Sequence, residues 1–320
     1  MSDNATENSN YQAIVERLSF AAINEQRRSR RWKIFFTILV FLYLTPFLLL
    51  TLEMSDIHVL DKDKLSTGKH AAVVKLEGVI ATAEEASAES VIEGLKAAFK
   101  DKDTAGVILT INSPGGSPVQ SAYIYDEMVR LQEKNPGIPL HVVITDMAAS
   151  GGYFVASAAK NIYVNKSSIV GSIGVRMDSF GFVGLIEKLG IERRLLTAGE
   201  HKGLLDPFQP ENLEQKAHLK NMLAEVHQHF KQAVIDGRKG RLKTEEDLFT
   251  GLIWTGEHAI KLGLADGYGS VQSIAKNEFD TDEVKDFTTE EKLFDRLITK
   301  ISVAVAKQVS LLANKNINLF

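Results

Sequence analysis

Residues 105–118 read AGVILTINSPGGSP. An apolar run of strand length stops at Asn112, passes through a Ser-Pro-Gly-Gly turn, and gives way to residues 117–134. There Val119, Ala122, Ile124, Met128 and Leu131 recur at helical spacing. The same order returns at residues 140–159, LHVVITDMAASGGYFVASAA, as an apolar strand, a small-residue turn and a helix of small residues. Working outward, AAVVKLEGVI at 71–80 predicts a strand ending at a glycine. Residues 87–100 predict a helix through Val91, Leu95, Ala98 and Phe99, and NIYVN at 161–165 predicts another short strand. Strands without polar alternation are buried on both faces. Strand and helix alternating over residues 71–165 therefore predict an α/β fold, a parallel sheet covered by helices. Chemistry in such a fold belongs at the carboxyl ends of the strands.

Further along, residues 210–240 predict a long polar helix. Residues 243–275 predict two short helical stretches with turns at Gly251, Gly263 and Gly267. Residues 278–290 are acidic and read as loop. From Lys292 to Leu312 the spacing of Leu293, Leu297, Ile301, Val305 and Val309 predicts an amphipathic helix. There is no internal repeat.

Composition narrows the function. The chain has 320 residues, 44% hydrophobic and 24% charged, which is globular and not disordered. A net charge of −4 argues against nucleic acid as partner, since phosphate binding needs a basic face. The absence of cysteine excludes disulfides, thiolate zinc sites, iron–sulfur clusters and a cysteine nucleophile. A mean hydropathy of −0.06 is high for so charged a chain and points to one concentrated apolar segment.

That segment is IFFTILVFLYLTPFLLLTL, residues 34–52, without a charge. As a helix it spans about 28 Å, close to the hydrocarbon thickness of a bilayer. Arg27, Arg28, Arg30, Arg31 and Lys33 precede it, and Glu53 and Asp56 come after it. The positive flank predicts a single-pass anchor with a cytoplasmic N-terminus and residues 53–320 exported. The run is longer than a signal-peptide core and has no A-x-A-like site after it, so an uncleaved anchor is expected. The organisation is then a cytoplasmic segment at 1–33 with a short amphipathic helix around Tyr11–Phe20, the anchor at 34–52, a polar linker at 53–70 and a catalytic domain at 71–280. An acidic spacer with the amphipathic helix completes the chain at 281–320.

Three segments carry chemistry. Gly115 and Gly116 close a strand before a helix, where exposed backbone amides can stabilise an anion. Ser150 sits at another strand's carboxyl end, flanked by Ala148, Ala149, Gly151 and Gly152. Small neighbours admit a substrate backbone, although a serine there can equally be an N-cap. Ala148 departs from the G-x-S-x-G elbow, which disfavours an ordinary α/β-hydrolase. Lys202 lies in Gly199-Glu200-His201-Lys202-Gly203; a lysine in a buried apolar site can lose its proton and act as a general base for serine. A Ser150–His201–Asp206 triad is the competing arrangement. His227 and His229 stand about 200° apart on a helix, so they cannot share a metal and read as a solvated face. No metal and no cofactor is expected.

INSPGGS, MAASGGYF, SSIVGSIGV and AGEHKGLLDPF, in that order, resemble the signal peptide peptidase A family of serine–lysine peptidases, short form, in the ClpP/crotonase superfamily. The resemblance covers residues 70–275 and implies Ser150 as nucleophile and Lys202 as general base. It also implies an oxyanion hole of Gly115, Gly116 and Gly151 backbone, with Ser172 orienting the lysine. It further implies a homo-oligomer whose active sites are built from neighbouring protomers. The expected function is a membrane-anchored serine endopeptidase cleaving extended hydrophobic peptides, such as signal-peptide remnants, outside the cytoplasmic face of a bacterial inner membrane. Alternatives are a protease for one membrane-protein partner and an inactive crotonase-like scaffold.

Overall fold

The computed structural model describes residues 25, 27–45, 68–243 and 247–289. The chain divides into two units, residues 1–67 and 68–320. In the first, helix α1 runs over residues 27–45. Its apolar side chains from Ile34 to Leu44 are exposed all round, with Phe41 at 68% and Tyr43 at 72%. Thr37 Oγ1 donates to Lys33 O at 2.8 Å, so its hydroxyl is satisfied within the helix. The expected anchor is therefore described only as far as residue 45. Among the described residues, no helix is long and apolar enough to cross a membrane. The helix around Tyr11–Phe20 and the one at Lys292–Leu312 lie outside the described residues, as does most of the 53–70 linker.

The second unit is built on a mostly parallel sheet. Its strands are β1 (His70–Glu77), β2 (Thr104–Ser113), β3 (Leu140–Ala149), β4 (Asn161–Val164), β5 (Ile169–Gly171), β6 (Ile253–Thr255), β7 (Gly267–Tyr268) and β8 (Val284–Asp286). The order is β6-β5-β3-β2-β1-β8, with β4 pairing β3 and β7 off that path. Only the β5–β6 pair is antiparallel among the described pairs. Successive side chains of a strand face opposite sides, and both sides are buried here. Val107, Leu109 and Ile111 join the larger core with Val142 and Ile144. Ile108 and Val143 join the smaller core under α8 (Val271–Phe279).

The helices that come first on the larger core are α2 (Ala88–Lys100), α3 (Pro118–Lys134) and α4 (Gly151–Ala156), and two later helices add Phe230, Val234, Ala259 and Leu262 to it. Ser87 caps α2 by accepting from the Ser90 amide, and Ser117 caps α3 with Pro118 in the first turn. The chain continues through α5 (Val183–Lys188), α6 (Leu213–Gly237) and α7 (Gly256–Leu262). The loop expected at 278–290 contains β8, which pairs parallel with β1 through Ala71↔Val284 to Val73↔Asp286. Its charged sequence suits an edge strand, where one backbone side and most side chains meet water. The sheet therefore runs past residue 280, the expected boundary of the catalytic domain.

Strand β3 changes partner along its length. Its first half pairs β4 at His141–Ile144, and its second half pairs β5 at Met147–Ala149. This fork puts the ends of β2, β3 and β5 side by side, with the turns that leave them at one edge of the domain.

Candidate active site

Ser150 occupies the single residue between β3 and α4, with φ 53 and ψ −123. A non-glycine residue held there costs on the order of 1–3 kcal/mol and needs an enforcing surround. The enforcement is visible. Ala149 pairs Gly171 in the β3–β5 ladder, and the Ser150 amide donates to Gly171 O at 2.8 Å. The Ser150 carbonyl accepts from the Tyr153 and Phe154 amides at 2.9 and 3.0 Å. The hydroxyl makes no capping bond. The N-cap alternative is thereby removed: the backbone carbonyl starts α4 and Oγ is left for other use.

Facing this turn is the glycine loop after β2. Gly115, at φ 100, lies so close that a Cβ there would sit 2.7 Å from the Gly151 nitrogen and 2.8 Å from Ser150 Cβ. The loop is fixed from the other side by residue 80. Ile80 N donates to Gly115 O at 2.9 Å and Ser117 N to Ile80 O at 2.7 Å. The Gly115 amide donates to the fully buried Ser113 hydroxyl at 3.1 Å. Among the described residues the Gly116 and Gly151 amides donate to no protein acceptor. Of the three expected oxyanion glycines, two thus present free N–H groups beside Ser150, and Gly115 supplies the close approach.

Ser172 follows β5 as Ser150 follows β3, one residue past the paired Ala149 and Gly171. It has φ 53, is half-buried, and its amide donates to Leu252 O at 2.7 Å. The structure therefore brings Ser150, Gly115, Gly116, Gly151 and Ser172 together. Beside them is His227 on α6, whose Nε2 lies 3.1 Å from Ile173 O. The solvated-face reading of the 227/229 pair is corrected for this half-buried residue. His227 precedes the buried Phe230 and Val234 by three and seven residues, which puts it on the inward face of α6, while His229 stays exposed. Ser113 was likewise missed; its signal is a serine that ends an apolar strand directly before the glycine loop.

Lys202 is not joined to this group within the chain. It is exposed, its amide turns back on Gly199 O at 3.1 Å, and no hydrogen bond or ion pair links it to Ser150. The buried setting expected for a neutral lysine is absent here because the segment carrying it packs chiefly on itself. Phe182 packs at a tilt on Phe208, ring centroids 5.7 Å apart, and α5 buries no residue. The competing triad fares worse. Asp206 binds Arg193 at 3.1 Å and the Phe208 amide at 3.0 Å, while His201 Nδ1 lies 3.4 Å from Gln215 Nε2. Neither residue is paired with the other or with Ser150.

The sequence profile described as "Peptidase family S49" matches residues 132–285, and that of "Clp protease" matches residues 70–170. A protein named as the Na(+)/H(+) antiporter NhaA of Brucella abortus is 45% identical over 67% of this chain and 29% of its own length. The chain thus spans less than a third of that relative, most of which lies outside the match. A candidate protease of Methanocaldococcus jannaschii is 37% identical over 55% of this chain and 56% of its own. A candidate protease of Synechocystis is 31% identical over 65% of this chain and 72% of its own. With its parallel sheet, its glycine loop and its strand-end serine, the chain belongs to peptidase family S49, a family of serine-type peptidases in the ClpP-like superfamily.

Proposed function

We propose that the protein is a serine endopeptidase with a Ser150–Lys202 dyad, anchored in a membrane through residues 34–52. Ser150 Oγ attacks the scissile carbonyl and passes its proton to a neutral Lys202 amine. The carbonyl oxygen becomes an oxyanion between the Gly116 and Gly151 amides. Lys202 returns the proton to the leaving amine, and water then hydrolyses the acyl-enzyme by the same route in reverse. Ser172 holds the lysine amine beside Ser150. The observation that supports this reading is the strained turn at Ser150, whose hydroxyl makes no capping bond and which lies against a glycine loop where the Gly116 amide, like that of Gly151, is uncommitted.

The lysine arrives from a second copy of the chain. Phe180, Leu189, Leu196 and Leu213, which flank Lys202 in sequence, are 74%, 63%, 97% and 78% exposed. So much apolar surface around one segment is what a protein interface covers. Substrates are extended peptides with small or apolar residues before the cut, such as signal-peptide remnants. The anchor would keep the site near lipid, where apolar segments are presented.

Fluorophosphonate labelling with peptide hydrolysis tests the dyad. Label should map to Ser150 and vanish in Ser150→Ala. Lys202→Ala and Lys202→Arg should both lose on the order of 10³-fold in rate, because arginine cannot give up its proton. Full activity in Lys202→Ala would remove the lysine from the mechanism.

A further inference from the structure

The outer faces of α2 and α3 enclose a groove of about 790 Å³ on the far side of the helix layer from the sheet. Its floor includes Ala88, Ile92 and the ring of Tyr123, which is 57% exposed. Acids dominate its rim. Glu127 is already held by Arg130 at 2.6 Å and Lys96 at 3.6 Å. Glu89, Glu93 and Asp126 are exposed and form no ion pair among the described residues.

The described chain ends in this groove. Phe287 N donates to Val73 O at 2.7 Å, and Thr288 Oγ1 accepts from Lys75 N at 3.0 Å. Thr289, the last described residue, lines the groove itself. Glu290 and Glu291 come next in the sequence, and after them the stripe Leu293, Leu297, Ile301, Val305 and Val309. Over 292–312 the charges are Lys292, Arg296, Lys300 and Lys307 against Asp295 alone. As a helix, residues 292–312 are about 30 Å long, against about 25 Å for α3.

We propose that residues 292–312 dock in the α2–α3 groove of their own chain, apolar stripe inward and basic residues toward Glu89, Glu93 and Asp126. Three features agree: the exit point at Thr289, the opposite charges, and an apolar floor under an apolar stripe. The acidic spacer is largely consumed, since 284–288 is bound along β1 and only three residues separate it from the basic stretch. The proposal is independent of the catalytic reading. Its consequence reaches the site nonetheless: α3 starts two residues after Gly116, and Gln120 Oε1 on α3 accepts from the Ala88 amide of α2 at 2.9 Å. The docked segment would brace both helices.

The chain has no cysteine, so disulfide trapping in the full-length protein reads proximity without background. Tyr123→Cys is combined in turn with Leu297→Cys, Ile301→Cys or Val305→Cys, and with Thr299→Cys as the opposite-face control. At least one stripe position should form an intrachain disulfide under mild oxidation, faster than the control. Neutralising the rim as Glu89→Gln, Glu93→Gln and Asp126→Asn should slow that reaction roughly fivefold. Disulfides formed only between chains would overturn the proposal by placing the segment on a second copy. Stripe positions no faster than Thr299→Cys, or a rate indifferent to the rim charges, would overturn it as well.

Discussion

A methyl group at position 151 would lie 2.5 Å from Ser121 Oγ and 3.2 Å from the Gly116 nitrogen. Ser121 is fully buried and donates to Ser117 O at 3.0 Å, so it has little room to retreat. Gly151→Ala should therefore spread the two proposed oxyanion amides apart. The expected loss is about 10²-fold in peptide hydrolysis, with an unchanged far-UV spectrum as the check that the fold persists. His141 makes a different prediction. Its ring is 3% exposed and stacks on Phe279 at 5.4 Å, with Nδ1 unpartnered. Burial holds its pKa below the ordinary histidine value of 6.5, with nearby Glu278 opposing. The unfolded chain then binds the proton more readily. Stability from this residue is complete above about pH 6.5 and falls as the pH drops toward the folded value. His141→Phe should flatten the urea midpoint between about pH 6.5 and pH 5. A midpoint that drops equally in both proteins would assign the effect elsewhere.

Helix α4 has only six residues, all buried, and cannot hold Ser150 by its own propensity. It is held by what surrounds it. Tyr153 OH donates to Leu264 O at 2.9 Å, and the segment after Leu262 is clamped by Arg238. Arg238 is fully buried. It donates to Gly263 O at 3.0 Å and, through both terminal nitrogens, to Asp266 at 2.8 Å. Burial pushes the Asp266 pKa up, and hydrogen bonding and charge from Arg238 more than offset this, leaving it below the usual carboxylate value. Arg238→Met should cost about 3 kcal/mol, somewhat softened because Arg241 still reaches Asp266 at 3.0 Å. With Asp266 depressed, its contribution to stability is present above about pH 4 and is lost as pH falls through the folded value. Losing Arg238 raises that value, so acid unfolding should begin at a higher pH. Urea titrations at pH 4 and pH 7 measure both effects.

For the molecule as a whole, the question is which chain supplies which half of the site. Were Lys202 to act on the Ser150 of its neighbour, mixed oligomers of Ser150→Ala and Lys202→Ala should regain activity that neither has alone. Random mixing would restore about a quarter of the sites. No recovery, with mixing verified by mass, would place the dyad within one chain. The C-terminal boundary gives a second test at this scale. Ending the chain after Asp280 strips β8 from β1 and removes Phe287, whose ring stacks on His70 at 5.8 Å. Ending it after Thr289 keeps both. The shorter form should melt several degrees below the longer one, which a thermal scan of the two fragments resolves.

Much of the fold was legible because its signals are local. Apolar runs at 105–112 and 140–146 name the central strands, and Ser117-Pro118 names the start of α3. The strand-end positions of Ser150, Gly116 and Gly151 were readable for the same reason: each lies within a few residues of a strand end, where the turn must be built from its own residues. Strand β8 was not legible, since the acidic run around Val284–Asp286 has no strand pattern and pairs β1 only because that edge is open. Ser113 and His227 were hidden likewise. Their partners, the Gly115 amide and Ile173 O, were not identifiable before the loops were placed. The sequence by itself determined the strand–turn–helix units and the small-residue gap at Ser150, because backbone sterics and hydrophobic periodicity act within one segment. Only the tertiary structure decided that β3 forks between β4 and β5, that the Gly115 amide is already bonded, and that Lys202 stays exposed within its own chain. Those outcomes depend on contacts between residues far apart in sequence, and no local pattern encodes them.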